Sequence, residues 1–271
     1  MTDDIDLELY FGHIGYDGPA RADLATLHAL QLLHPQAIAF ENLDPLSGRR
    51  VHLDLSSLQR KLVDEHRGGY CFEHNGWFQA VLRAIGFKVT PLGARVVWSA
   101  PPTLPPRTHS LSLVEVDDAN YIVDVGFGAL TPTAPLRLEL DVEQETPHER
   151  MRLRRDQGDY VLEGLTESSW RALYRFDLQP QLPTDYAMAN WYVSTFPESH
   201  FVNRLGVAIA APGRRYTLRG AELSVHDFRT GTTRARIESV SELRNVLTDT
   251  FRIRLPDEPR LEAALERMVE S

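Results

Sequence analysis

Nine consecutive residues, Arg67-Gly68-Gly69-Tyr70-Cys71-Phe72-Glu73-His74-Asn75, hold the one cysteine of the chain in a setting that suits a nucleophile. A glycine pair lets the backbone turn tightly and approach a neighbour closely. If a helix opens at Cys71, its thiol meets unpaired backbone amides and the positive end of the helix dipole, which favour thiolate over thiol. A neighbouring imidazolium would add to that effect. The plain alternative is a structural cysteine in a core helix, which is what a lone cysteine in an arbitrary chain more often is. Zinc ligation by Cys71 and His74 at C-x-x-H spacing fails on count, because there is no second cysteine and no H-E-x-x-H motif. Glu73, His74 and Asn75 then read as helix residues that pack or hydrogen-bond locally.

A cysteine nucleophile needs a base, and the base needs a group that holds its tautomer. His109 enters the strand-like run Thr108-His109-Ser110-Leu111-Ser112-Leu113, and Tyr121-Ile122-Val123-Asp124-Val125-Gly126 places one acid among apolar residues. A carboxylate in apolar surroundings is costly unless paired, and His109 is the partner at hand. The plain alternative makes Asp124 a turn cap and His109 a surface residue. Spacing raises a difficulty. If Asp117-Asp118-Ala119-Asn120 is the turn and Val116 faces Tyr121, then Leu113 faces Asp124 and His109 lies four residues off, roughly 13 Å along the strand. Contact would then need a bulge, a strong twist or a bend near Gly126. Gly126-Phe127-Gly128, followed by Thr131-Pro132-Thr133, suits a loop whose backbone approaches a ligand while the ring walls a pocket.

The elements that must position these residues follow from periodicity. Leu24, Leu27, Leu30 and Leu33 form one helical stripe, which Pro35 is expected to end. Asp54 can cap a second helix with Leu55, Leu58, Leu62 and Val63 on one face, running to Gly68-Gly69. A third runs from Cys71 to a C-cap at Gly86, with Phe78, Leu82 and Ile85 on its apolar side. From Phe87 the pattern alternates. Strands are predicted around Val89, Ala94 to Trp98, Leu111 to Val116, Tyr121 to Val125, Tyr160 to Leu165 and Trp170 to Phe176. The prolines between 101 and 106 predict a loop, and the charged run 141–156 a surface connection. Further short strands are expected at 201–210, 216–218 and 234–237, then a helix opened by Ser239 with Glu242 three residues on.

The totals narrow the function. A chain of 271 residues exceeds one ordinary core and suggests two or three domains, and 42% hydrophobic with 25% charged residues is the composition of a globular protein. A net charge of −9 argues against a nucleic-acid partner, yet leaves room for a small anionic cofactor in a local pocket. The longest apolar run, Leu205 to Ala211, is far too short for a bilayer, and the acidic opening Met1-Thr2-Asp3-Asp4 is unlike a signal peptide, so a cytoplasmic protein with no membrane partner is expected. One cysteine excludes an internal disulfide.

The cysteine segment, together with Tyr10-Phe11-Gly12-His13-Ile14-Gly15-Tyr16, Phe40-Glu41-Asn42-Leu43, Thr108-His109-Ser110, Val123 to Gly128 and Ser199-His200-Phe201-Val202, resembles arylamine N-acetyltransferases of the bacterial type. The likeness runs from Tyr10 into the last third and is weakest over the final helices. It implies an α+β fold in three parts: a helical bundle over 1–86, an antiparallel β-barrel-like domain over 87–195, and an α/β lid over 196–271. It implies a Cys71-His109-Asp124 triad similar in geometry to papain-like proteases. By matching positions, Phe40, Val96, Thr108, Phe127, Gly128 and Phe201 would line the acyl and amine pocket. Trp98, Thr108, Gly126 and Phe201 would lie near coenzyme A. The plain role of these flanking positions is core packing.

The activity so implied is ping-pong transfer of an acetyl group from acetyl-coenzyme A to arylamines, arylhydrazines or arylhydroxylamines through acetyl-Cys71, without a metal. A homodimer stays open. Three other readings compete: a cysteine peptidase with the same triad, an amide synthase that takes a carrier-bound acyl group, and a non-catalytic binding protein, which would be expected to have lost part of the triad.

Overall fold

The computed structural model describes residues 5–270; the acidic opening at 1–4, on which the expectation about a leader segment rests, lies outside them. Helix α1 (Leu7–Ile14) is capped by Asp6, whose carboxylate accepts from the Leu9 amide. The leucine stripe forms α2 (Leu24–Ala37), capped in the same way by Asp23. Pro35 does not end it at once: it sits in the last turn, at the cost of one helix hydrogen bond, and the helix closes two residues later. After α3 (Leu43–Leu46), Asp54 caps α4 (Leu55–Gln59), which widens into a π turn over Arg60–Asp64 and stops short of the glycine pair. Helix α5 (Cys71–Ile85) starts at the cysteine and ends at Gly86, whose φ of 107° is the left-handed C-cap conformation that glycine adopts freely.

The β region is a seven-stranded antiparallel sheet in the order β4-β3-β2-β1-β7-β6-β5. Its strands are β1 (Lys88–Val96), β2 (His109–Val116), β3 (Ala119–Val123), β4 (Leu136–Arg137), β5 (Met151–Asp156), β6 (Asp159–Thr166) and β7 (Ser169–Phe176). Bridges from Leu140 to Leu153 and from Gln144 to Met151 bring the two edges together, so the sheet is nearly closed like a barrel. Leu92, Leu111, Leu153, Leu162, Leu173 and Tyr174 fill its interior. The charged run 141–156 is thus not all surface connection, since its last six residues form β5. Trp98 lies beyond the end of β1 and Val125 beyond the end of β3.

The β2–β3 turn corrects the register expected from sequence. The turn has two residues, not four: Asp117 and Asp118 carry φ of 48° and 58°, as in the tight hairpin turn whose twist matches the strands. Val116 therefore pairs with Ala119, and Ser112 with Val123. Continuing that register sets Asp124 opposite Leu111, two residues from His109, or about 7 Å along the strand.

Helices α6 (Pro183–Thr195) and α7 (His200–Asn203) follow, then a second antiparallel sheet of β8 (Gly206–Ala211), β9 (Arg214–Arg219), β10 (Glu222–Asp227) and β11 (Gly231–Arg236). The strand expected over 201–210 begins as helix, because Ser199 caps α7 through the Phe201 amide. Ser239 caps α8 (Val240–Asn245) as its spacing from Glu242 suggests, and α9 (Pro259–Glu270) packs on α8 and α3, with Leu261, Ala264 and Leu265 in the core they share with the sheet. The fold is α+β. No helix among the described residues is long and apolar enough to cross a membrane.

Candidate active site

The start of α5 is held from below by buried charge. Glu73 accepts from the Tyr70 amide at 3.0 Å and from Lys61 Nζ at 2.6 Å. Lys61 also reaches Asp44 at 2.8 Å, and Arg67 reaches Asp44 at 2.7 Å and Glu41 at 3.3 Å. Burial pushes Glu73 up to about 7 although Lys61 opposes the shift. For Asp44 burial acts in the same direction, but Lys61 and Arg67 outweigh it and hold the carboxyl at about 2. The glycine pair fits this scaffold by contact: a Cβ on Gly68 would lie 2.1 Å from the Ala39 carbonyl oxygen.

Cys71 is buried at the first position of α5, with Sγ 3.6 Å from the carbonyl oxygen of Thr108. His109 opens β2, and its Nε2 lies 2.7 Å from Asp124 Oδ2. That leaves Nδ1 directed away from the carboxylate, and the Cys71 sulfur is near enough to perturb the ring's titration. Burial pulls the imidazole down, but the charge and hydrogen bond of Asp124, with Cys71 adding, raise it to about 10. Burial likewise opposes ionisation of Asp124; His109, the Asn75 amide and the Gly126 amide outweigh it and hold the carboxyl below its usual range. Tyr174 and Phe127 pack against the imidazole with ring centroids 4.9 and 5.2 Å away.

Of the residues expected from sequence as triad, pocket or coenzyme A positions, all but Asp124 line one cavity of about 940 Å³. Cys71 and His109 face it beside Phe40, Val96, Thr108 and Phe201. Gly126, Phe127 and Gly128 form another stretch of its wall, and Trp98 stands with Arg171, whose guanidinium sits 5.6 Å over the indole. Asp124 lies behind His109 with no exposed surface. Sequence reading missed Arg171, Arg204 and Arg219, which bring positive charge to the cavity of an acidic protein. They come from separate elements, so no local motif marks them. It also missed Arg215, buried against Glu149 at 2.5 Å and donating to the Thr131 carbonyl at 2.9 Å, which ties the second sheet to the loop after Asp124.

Glu73, His74 and Asn75 are buried helix residues as expected, but their hydrogen bonds are not all local, Glu73 included, since it also bonds Lys61. His74 bonds His34 at 2.8 Å and the Ala39 carbonyl at 3.1 Å, while Asn75 bonds the strand and loop that carry His109 and Asp124. Among the described residues, no group of three or more His, Cys, Asp or Glu side chains is placed to hold a metal ion.

Comparison with known proteins identifies the family. A family model described as N-acetyltransferase matches residues 23–260. The arylamine N-acetyltransferase of Mycolicibacterium smegmatis is 45% identical over 261 residues, covering 93% of this chain and 94% of that protein. The Escherichia coli K12 arylamine N-acetyltransferase is 42% identical, covering 93% of this chain and 90% of its own length. The structure of the Mycobacterium marinum arylamine N-acetyltransferase in complex with CoA superposes with a TM-score of 0.93 at 40% identity, covering 97% of this chain and 99% of that one. By motif, fold and overall likeness, the chain belongs to the arylamine N-acetyltransferase family of acyltransferases.

Proposed function

We propose that this protein transfers an acetyl group from acetyl-coenzyme A to arylamines, arylhydrazines or arylhydroxylamines in two steps, through acetyl-Cys71. One observation carries the reading: a buried cysteine at a helix start shares an imidazole with a buried carboxylate at 2.7 Å, and the pair opens into a cavity large enough for both substrates in turn. The names of the relatives and the CoA complex of the M. marinum protein support the choice of donor and acceptor.

In the first half-reaction the Cys71 proton resides on His109 and the thiolate attacks the thioester carbonyl. The amides at the very start of α5, ahead of the Glu73 amide that donates to the Tyr70 carbonyl, are suited to the oxyanion. As the intermediate collapses, coenzyme A leaves as its thiolate and takes the proton from His109. In the second half-reaction the neutral amine attacks acetyl-Cys71, its proton passes to His109, and the thiolate is released. Asp124 keeps the imidazole oriented and stabilises its charged form. Phe40, Val96, Thr108, Phe127, Gly128 and Phe201 enclose the acetyl group and the flat amine, and exclude the water that would hydrolyse the intermediate. Trp98, Thr108, Gly126 and Phe201 flank the coenzyme A arm, with Arg171, Arg204 and Arg219 supplying cations for its phosphates.

The test is intact mass after mixing the protein with acetyl-coenzyme A alone. A single acetyl adduct on Cys71, absent in Cys71→Ala and discharged by an arylamine, is expected. An intact thiol with no adduct would sink the reading and point to a hydrolase or to a carrier-bound donor.

A further inference from the structure

Asn75 lies one helical turn after Cys71, is 1% exposed, and uses its whole amide. Its Nδ2 donates to the Ser110 carbonyl at 2.7 Å and to Asp124 Oδ1 at 2.9 Å, while its Oδ1 accepts from the Val125 amide at 3.1 Å. These partners settle which end of the amide is nitrogen, since a carbonyl oxygen needs a donor and an N–H needs an acceptor. The bonds reach three places the chemistry depends on: the strand residue next to His109, the carboxylate that holds His109, and the backbone just after that carboxylate.

We infer that Asn75 is a positioning residue, which sets the nucleophile helix against the His109 strand and turns Asp124 so that Oδ2 meets the imidazole. The inference rests on the proposed two-step reaction and adds to it a residue outside the cysteine, histidine and aspartate.

The geometry around Asp124 explains why an amide is needed. Oδ2 is taken by His109, and Oδ1 receives the Asn75 and Gly126 N–H groups, the latter at 2.9 Å. Two donors on one oxygen hold the plane of the carboxylate, so the other oxygen can present a lone pair only along the His109 direction. An acid in place of Asn75 could not donate to both Ser110 and Asp124. A shorter side chain would not reach either. Gly126 packs over the same amide, where an added Cβ would lie 3.0 Å from Asn75 Nδ2 and 2.9 Å from Cys71 Cα, so the helix, the amide and the loop form one close contact.

The other titratable groups near Asp124 are uncharged at neutral pH. Burial pushes Tyr174 well above the phenol range, and it pulls His74 down to about 4. The donors to Asp124 other than His109 are therefore the neutral N–H groups of Asn75 and Gly126.

Asn75→Leu, which keeps the branched heavy-atom outline without the hydrogen bonds, and Asn75→Ser, which leaves room for water, test the inference alongside Asp124→Asn. The readouts are thermal midpoint, kcat and KM for acetyl transfer, and the pH dependence of Cys71 alkylation by iodoacetamide. The expected result is a folded protein whose kcat falls about 100-fold with KM for acetyl-coenzyme A nearly unchanged, as for a small misplacement of reacting groups. The low-pH limb of alkylation moves up by about one unit, because the imidazolium partner of the thiolate is less well supported. If Asn75→Leu does not fold, Asn75→Ser decides by the same readouts. Alkylation limbs and kcat equal to the parent protein in the folded variants, with Asp124→Asn shifted, overturn the role of Asn75 alone. An unshifted Asp124→Asn overturns the two-step reading and the role of Asn75 with it.

Discussion

A Cβ on Gly126 would stand 2.9 Å from the Cα of Cys71, so the loop after Asp124 rests directly on the backbone at the start of α5. This contact joins the helix to the β region at the point where three side chains must meet. Gly126→Ala would force the loop and α5 apart against backbone, not against a yielding side chain. The variant should lose about 1–3 kcal/mol of stability in denaturant titration. It should also form the acetyl adduct about 100-fold more slowly, since reacting groups displaced by an ångström lose that much. An adduct forming at the parent rate would show that the contact can relax.

The His109–Asp124 pair gives stability a pH dependence with a defined sign. His109 is raised to about 10 from an unfolded value near 6.5, so its contribution is complete below about 6.5 and is lost as pH rises through 10. Asp124 is shifted down, so its contribution is present above the usual carboxylate range and is lost as pH falls below it. Asp124→Asn removes the cause of the first shift. Thermal midpoints measured from pH 6 to 10 should fall less steeply in Asp124→Asn than in the parent; parallel curves would contradict the pairing.

Beneath the start of α5, Lys61 answers three acids, with Glu73 at 2.6 Å, Asp44 at 2.8 Å and Glu41 at 3.8 Å. Lys61→Ala leaves those charges buried with Arg67, and Arg49 at 3.4 Å from Asp44, as their remaining cations. It should cost about 3–5 kcal/mol at pH 8. The loss should shrink toward pH 5, because Glu73 already titrates near 7 with Lys61 present and moves higher without it. Urea midpoints at the two pH values measure the difference.

Arg204 and Arg219 line the cavity, and their charges carry the proposed contact with the coenzyme A phosphates. Replacing either by alanine should raise KM for acetyl-coenzyme A by about tenfold, the size of one lost charge-assisted hydrogen bond, with kcat nearly unchanged. Added salt should raise KM less in these variants than in the parent. A fall in kcat at saturating donor would instead place the residue at the chemical step.

Residue type and short-range spacing, taken by themselves, determined the helix that opens at Cys71, its Gly86 cap, the strand entering at His109, and the need of Asp124 for a partner. These are local matters: a cap, a glycine pair and a period of two are set by neighbours in the chain. The tertiary structure decided which faces met. Alternation places His109 and Asp124 on one side of a hairpin, but not their distance, which hinged on Asp117 and Asp118 adopting left-handed backbone and closing a two-residue turn. The sequence reading took a longer turn and so set the pair roughly 6 Å too far apart. Asn75 looked like a helix residue with local bonds because its partners, Ser110, Asp124 and Val125, lie more than thirty positions away. The cavity arginines lie on β7, β9 and the chain after α7, and their common direction arises from packing of the two sheets. Register and packing depend on how remote segments fit together, and no periodicity within either segment contains that information.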